Sequence, residues 1–194
     1  MKLFLIRHGQ TSANLEGIYA GQTDVPLTDL GRQQAEAIRP ILAPIVFDKI
    51  FSSDLQRAID TQRLAIPGTE GIRTPLLREY DVGSLVGVDF AQGRQLFSQR
   101  QNTGITRDYS LFSGESPQMV CDRVRKFLAL LEAAPCETAV AFVHNGIMNT
   151  MLRIVLGVEF DTAAVKSQNC AIHIFEYDGT RWKLLAWNYG MQMM

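Results

Sequence analysis

The chain has 194 residues, of which 46% are apolar and 20% charged, and its 19 Lys and Arg nearly balance its 20 Asp and Glu. This length and composition predict one globular domain, residues 1–194, with a full core. A formal net charge of −1 creates no global field for nucleic acid or a membrane surface, so any anion must be gripped by a local cluster of arginines.

Strand-like and helix-like segments alternate. Lys2 to Ile6 predicts a buried first strand, and it ends abruptly in Arg7-His8-Gly9. Thr28 fits an N-cap, with Leu30, Ala37, Ile38, Ile41 and Leu42 giving an approximate helical stripe up to Pro44. Lys49 to Phe51 predicts a short strand. Ser53 followed by Gln56 fits a capping box, so a helix is expected to begin there with Arg57 in its first turns, and Pro67-Gly68 closes that unit. From Gly83 to Ser113 the periodicity is weak and the middle, Gln99 to Asp108, is polar, which predicts an irregular insertion over the sheet edge. Ser116 before Pro117 reads as an N-cap followed by an N1 proline. Val120, Val124, Phe127, Leu128 and Leu131 then form one apolar helical face. Thr138 to Val143 predicts a second buried strand, and it too runs into a histidine, His144. Ile147 to Leu156 reads as the next helix, with Gly157 at its end. Ala171 to Tyr177 and Trp182 to Asn188 read as two late strands joined at Asp178-Gly179, and Met191 to Met194 as a frayed end. This βαβα order with one antiparallel addition predicts an α/β fold of three αβα layers around a mostly parallel central sheet.

Ligands bind at the carboxyl edge of such sheets. His8 and His144 both end strands there, so they can meet although far apart in sequence. Arg7 from the first strand and Arg57 from a helix start can join them, and Glu79 after Leu77-Arg78 is the best placed carboxyl group. Imidazole is a nucleophile near neutral pH and guanidinium is a natural grip for phosphate, so the pattern points to phosphoryl transfer to histidine. Blander readings compete with it. Arg57 could pair with Asp54 or Asp60, Glu79 could belong to a surface ion pair with Arg78, Asn14 could cap a turn, and Gln22 could be an ordinary loop residue. His173, in an alternating strand, is expected to face its sheet neighbours. Phe90, Phe97, Tyr109 and Phe112 either line a substrate mouth or anchor the irregular region. Cys121, Cys136 and Cys170 are far apart and odd in number. They form neither a disulfide framework nor a metal clip, and they read as packing residues of a cytoplasmic protein. The apolar stretches are strand-sized, and Lys2 with its short strand does not read as a signal peptide.

Several pieces run in one order over nearly the whole chain. They are Arg7-His8-Gly9-Gln10-Thr11 with Asn14, Gly21-Gln22 with Pro26-Leu27-Thr28 and Gly31, and Ser52-Ser53-Asp54-Leu55 with Arg57-Ala58 and Thr61. Leu77-Arg78-Glu79 with Gly83, Gly114-Glu115-Ser116 and Val143-His144-Asn145-Gly146 complete the set. In these pieces the chain resembles the histidine phosphatase superfamily, its phosphoglycerate-mutase-like group. The resemblance implies that His8 becomes phosphohistidine, that Arg7 and Arg57 clamp the phosphoryl oxygens with help from Asn14 and His144, and that Glu79 is the proton donor. It places Gly21, Gln22 and Asn145 in the same phosphate-binding set and implies no metal ion or cofactor. Asn145 stands where the family commonly has glycine, and Gly83-Ser84-Leu85-Val86-Gly87 replaces its usual Gly-x-Trp-Glu-Gly.

Residue chemistry agrees with these roles. Adjacent arginines keep the nucleophile neutral and stabilise the transferring phosphoryl group. A carboxyl beside a bound phosphate dianion keeps its proton through like-charge repulsion, so Glu79 can protonate a leaving alkoxide and afterwards activate water. The expected function is therefore a metal-independent phosphomonoesterase acting on a small phosphorylated metabolite. A phosphoglycerate-type mutase would need extra sequence to shield its phosphohistidine, and the interval from Glu79 to Gly114 is short. A non-catalytic phosphate-binding module is the third reading, and the survival of every chemical residue argues against it. A nucleoside triphosphate enzyme is excluded by the absence of a Gly-x-x-x-x-Gly-Lys loop. Neither nucleic acid nor membrane is an expected partner, a homodimer is left open, and substrate selection is expected to reside in Gly83 to Ser113.

Overall fold

A computed structural model describes residues 1–100, 108–134, 136–158, 165 and 167–190. Strands β1 (Lys2–Arg7), β2 (Lys49–Ser53), β3 (Ile72–Thr74), β4 (Thr138–Val143), β5 (Ile172–Tyr177) and β6 (Trp182–Tyr189) form one sheet in the order β3-β2-β4-β1-β5-β6. The pairs β1–β4, β4–β2 and β2–β3 are parallel, and β5 is antiparallel to both of its neighbours. In the β1–β4 register Arg7 lies opposite Val143. The next residue of each strand is a histidine, so His8 and His144 leave the sheet side by side.

The helices are α1 (Ser12–Glu16), α2 (Asp29–Ala37), α3 (Arg39–Leu42), α4 (Gln56–Ala65), α5 (Phe90–Arg100), α6 (Pro117–Glu132) and α7 (Asn145–Leu156). Alternation along β1 sends Leu3 and Leu5 to one face and Phe4 and Ile6 to the other. On the first face they pack with Val120, Val124 and Phe127 of α6 and with Ile147 and Met151 of α7. On the second they pack with Ala35 of α2, with Ile38 just after it and with Ala58 and Ala65 of α4. The three αβα layers thus follow from the period-two pattern of the buried strands.

Four local expectations are corrected. The helix expected from Thr28 to Pro44 is broken in two. Pro40 has no N–H to donate and its ring excludes the carbonyl four residues back, so α2 stops at Ala37 and α3 restarts at Arg39. Its buried stripe is Gly31, Ala35, Ile38 and Leu42, whereas Leu30 and Ala37 are exposed. Secondly, Ser53 and Gln56 form no capping box. Leu55 is the N-cap of α4, Ser53 Oγ accepts the Leu55 N–H (3.3 Å), and the Gln56 N–H is taken by Asp24 (2.8 Å). Thirdly, α7 begins at Asn145, with His144 itself as N-cap, two residues before the expected start. Fourthly, the region from Gly83 to Ser113 is not irregular throughout. It holds the 11-residue helix α5, of which only Gly93 and Phe97 are buried, so its periodicity in the sequence is weak.

The short strand β3 and the helix α1 had no clear sequence signal. The expectations for residues 101–107 and for Met191 to Met194 lie outside the described residues. No helix among the described residues is long and apolar enough to cross a membrane.

Candidate active site

Two parallel strand ends and the helix α4 build the centre of the site. His8 is 5% exposed, and its Nδ1 lies 2.7 Å from the Gly9 carbonyl oxygen. A carbonyl only accepts, so Nδ1 carries the proton and Nε2 is left with its lone pair. Burial first, then the charges of Arg57 and Arg7, hold the His8 pKa well below the usual histidine value, although the bond to Gly9 works the other way. The nucleophile loop is tied to α4, because Gly9 N–H donates to Thr61 Oγ (3.0 Å) and Thr61 Oγ donates to the Arg57 carbonyl (2.7 Å). Thr61 and Arg57 are four residues apart on one helical face.

Arg57 is 2% exposed and pairs with neither Asp54 nor Asp60. Its Nη1 and Nη2 donate to the carbonyls of Thr23 (2.9 Å) and Gly21 (2.7 Å), and its Nε donates to His144 Nδ1 (3.2 Å). His144 must therefore be neutral with its proton on Nε2, a buried donor that has no partner. Burial, then Arg57 and His8, depress the His144 pKa as well. The rings of His8 and His144 are 5.2 Å apart between centroids.

Glu79 arrives from the far side. Arg78 turns away from it to a bidentate pair with Asp54 (2.8 and 2.7 Å). The Glu79 carboxylate accepts the N–H of Tyr80 (2.9 Å) and of Gly146 (3.1 Å) in the first turn of α7. Only glycine fits there, since a Cβ at position 146 would lie 2.1 Å from Glu79 Oε1. Beneath this loop Arg123 of α6 donates to the carbonyls of Leu76 (3.0 Å), Arg78 (2.6 Å) and Glu79 (3.0 Å), and pairs with both oxygens of Glu115 (2.9 Å each).

A cavity of about 620 Å³ opens over these groups, lined by Arg7, His8, Asn14, Gly21, Arg57, Glu79 and Asn145 among the residues singled out in the sequence. Asn14 both lines it and caps α1 through a reciprocal pair of bonds with Thr11. Arg7 is steadied by the Ser167 carbonyl. Two expected residues do not line the cavity. His144 is fully buried behind Arg57 and His8. Gln22 instead donates to the Glu79 carbonyl (3.1 Å), supporting the loop rather than facing the space. Of the aromatics, Phe90 and Tyr109 line the cavity, while Phe97 and Phe112 meet each other edge to face at 4.9 Å and Phe97 packs on Tyr109. Cys170 is buried with its thiol pushed up to about 12, and His173 packs on Trp187 within the sheet layer.

Sequence reasoning missed Arg94, Tyr19 and Asn169, which also line the cavity, and Arg123. Asn169 donates to the His8 carbonyl (3.0 Å) and to Asn14 (3.2 Å). Only Arg123 had a usable signal, an arginine three residues after Val120 on the border of the apolar stripe of α6. Among the described residues no group of three or more His, Cys, Asp or Glu side chains could hold a metal ion.

The fold recurs in known proteins. The family model of the histidine phosphatase superfamily (branch 1) matches residues 3–190. An adenosylcobalamin/alpha-ribazole phosphatase of Salmonella typhimurium is 30% identical over 167 residues, 80% of each chain. A protein of an Enterobacter species described as "Probable phosphoglycerate mutase" is 30% identical over 193 residues, 96% of this chain and 90% of that one. The structure of a mycobacterial glucosyl-3-phosphoglycerate phosphatase complexed with VO3 superposes with a TM-score of 0.82 at 29% identity, over 96% of this chain and 98% of that one.

Proposed function

The chain belongs to the histidine phosphatase superfamily, and from that premise we propose that it hydrolyses a small phosphate monoester through a phosphohistidine on His8. The observation that carries this reading is the His8 tautomer. Its Nδ1 proton is held by the Gly9 carbonyl, and it borders a cavity that Arg7, Arg57, Arg94 and Glu79 also line.

In the first step His8 Nε2 forms a bond to phosphorus as the ester P–O bond breaks. Arg7 and Arg57 neutralise the phosphoryl oxygens, where most of the transition-state charge resides. His144 orients Arg57 by accepting its Nε–H at Nδ1. Glu79 gives its proton to the leaving alkoxide. In the second step water attacks the phosphorus, Glu79 takes a proton from it, the N–P bond breaks, and orthophosphate leaves. No residue in this sequence of events requires a metal ion.

The test is hydrolysis of p-nitrophenyl phosphate in EDTA, with an alkaline quench to trap phosphohistidine. The wild type is expected to turn over and to carry label on His8. His8→Ala is expected to lose on the order of 10³-fold or more in kcat and all of the label. Wild-type turnover in His8→Ala removes the nucleophile assignment, and conversion of 3- to 2-phosphoglycerate without phosphate release replaces the hydrolase reading with a mutase.

A further inference from the structure

The hydrolytic reading, on which this inference rests, gives work to His8 and His144 and none to His173 of β5, the third histidine of the chain. His173 is fully buried, against the ring of Trp187 at 3.7 Å between centroids. A side chain with two polar atoms and no contact with solvent needs a partner at each of them. The β1–β5 register shows what it can reach. Leu5 lies opposite His173, so the two side chains share one face of the sheet. Arg7, two residues on from Leu5, belongs to that same face.

Hydrogen bonds fix the state of this imidazole. The Asn188 N–H of β6 donates to Nδ1 (3.2 Å), so Nδ1 keeps its lone pair and the proton sits on Nε2. Nε2–H therefore donates to Ser167 Oγ (3.0 Å). Burial first, then the charge of Arg7, lowers the His173 pKa to about 3, which keeps the ring neutral near neutral pH. Ser167 has weaker contacts for its own hydroxyl proton, the Gln168 carbonyl at 3.5 Å and the Met148 sulfur at 4.0 Å, so the imidazole is the partner that holds it. The carbonyl of the same serine accepts Nη1–H of Arg7. The other end of this loop is tied to the backbone of the nucleophile. Asn169 donates to the His8 carbonyl (3.0 Å), and the Cys170 N–H donates to the Arg7 carbonyl (3.1 Å).

A guanidinium on a long stem loses rotamer entropy when it is held still. It stabilises a transferring phosphoryl group best when its donors already point at the oxygens before the substrate arrives. The Ser167 carbonyl holds one corner of Arg7, and Arg7 still lines the cavity. That carbonyl can do so only while Ser167 keeps its orientation, and the buried imidazole sets the orientation from the side of the sheet. We propose that His173 is a positioning residue for the phosphate clamp: its Nε2–H fixes Ser167, and the Ser167 carbonyl fixes the guanidinium of Arg7. The chain of contacts runs from the backbone of β6 through His173 and Ser167 to Arg7, and it reaches the phosphate without His173 touching it.

Three variants separate positioning from packing. His173→Gln puts an amide N–H near the place of Nε2–H and keeps the donor to Ser167. The shorter His173→Asn keeps an acceptor for Asn188 and does not reach Ser167. Ser167→Ala removes the hydroxyl at a half-buried loop position and leaves both its carbonyl and the core in place. The readout is affinity for orthophosphate by calorimetry, with Arg7 present and in an Arg7→Ala background. With Arg7 present, His173→Asn and Ser167→Ala are each expected to lose about tenfold and His173→Gln less than about threefold. In Arg7→Ala the same changes are expected to cost less than about twofold, because no guanidinium is left to position. Losses as large without Arg7 as with it, no loss in Ser167→Ala, or a His173→Gln as weak as His173→Asn overturns the proposal. If His173→Asn does not fold, the Ser167→Ala cycle decides. If Arg7→Ala binds too weakly to titrate, the contrast between Gln and Asn at position 173 decides. Phosphate binding by a wild type that does not hydrolyse p-nitrophenyl phosphate removes the phosphatase reading and leaves the coupling to Arg7 to be judged by the same titrations. A wild type that binds no phosphate overturns both.

Discussion

A histidine can attack through only one of its nitrogens at a time, and at His8 the Gly9 carbonyl makes the choice by holding the Nδ1 proton at 2.7 Å. At Glu79 a different constraint operates. Its oxygens accept the N–H groups of Tyr80 and Gly146, so the carboxyl is held in place by backbone donors, with Arg78 committed to Asp54. A positioned acid of this kind matters in proportion to how badly the leaving group needs a proton. Glu79→Gln is therefore expected to lower kcat/KM for alkyl phosphates by about 10²–10⁴-fold and to leave p-nitrophenyl phosphate, whose phenolate departs unaided, much less affected. A plot of rate against leaving-group pKa checks this, and equal losses on aryl and alkyl esters would remove the acid role. That Arg7, His8 and Arg57 line one cavity was readable in the sequence because they end a buried strand or open a helix directly, whereas Glu79 stood out only as a carboxyl group in a loop. Arg94 and Asn169 were not, since nothing local distinguishes an arginine on a weakly periodic helix or an asparagine in a loop.

Elements bring these residues together at the sheet edge. The strands β1 and β4 were legible because four or more consecutive apolar residues with alternating destinations leave little choice, and their parallel register sets the two histidines side by side. Helix boundaries were less legible where the decisive contact is distant. The N–H of Gln56 is capped by Asp24, 32 residues earlier, and the restart of α3 depends on a proline that the apolar stripe conceals. Helix α6 shows the same thing for function. Its apolar face was plain, but not that Arg123 on its flank holds the carbonyls of Leu76, Arg78 and Glu79 and pairs with Glu115 at only 13% and 14% side-chain exposure. Removing one partner of such a pair leaves the other charge buried and costs about 3–5 kcal/mol. Arg123→Gln is expected to lose stability of that order in urea denaturation. Because the loop it holds carries Glu79, the variant is also expected to show the same leaving-group dependence as Glu79→Gln. A loss of stability with all esters slowed equally would make Arg123 a scaffold residue and nothing more.

For the whole molecule, bringing two strand ends and several arginines together between helical layers has a thermodynamic consequence. The protein has three histidines, and His8, His144 and His173 are all buried. Burial and neighbouring guanidinium charge lower the pKa of each, that of His173 to about 3. In the unfolded chain each titrates near about 6.5. As pH falls below that value the unfolded chain binds protons that the folded protein does not accept, so stability decreases with falling pH. The decrease continues until the folded-state values are reached. Each histidine contributes up to about 1.4 kcal/mol per pH unit in that window, and the three together up to about 4. Carboxylates held low by partners, such as Asp54 beside Arg78, act in the same direction but only below about pH 5. The interval between about pH 6 and pH 5 therefore isolates the histidines. Urea unfolding across it, combined with direct measurement of proton uptake, is expected to show close to three protons bound on unfolding. An uptake of one or fewer would mean that at least two of these imidazoles are protonated in the folded protein. At least one of His8 and His144 would then be cationic, whereas the nucleophile must be neutral and His144 Nδ1 must keep its lone pair to accept from Arg57 Nε.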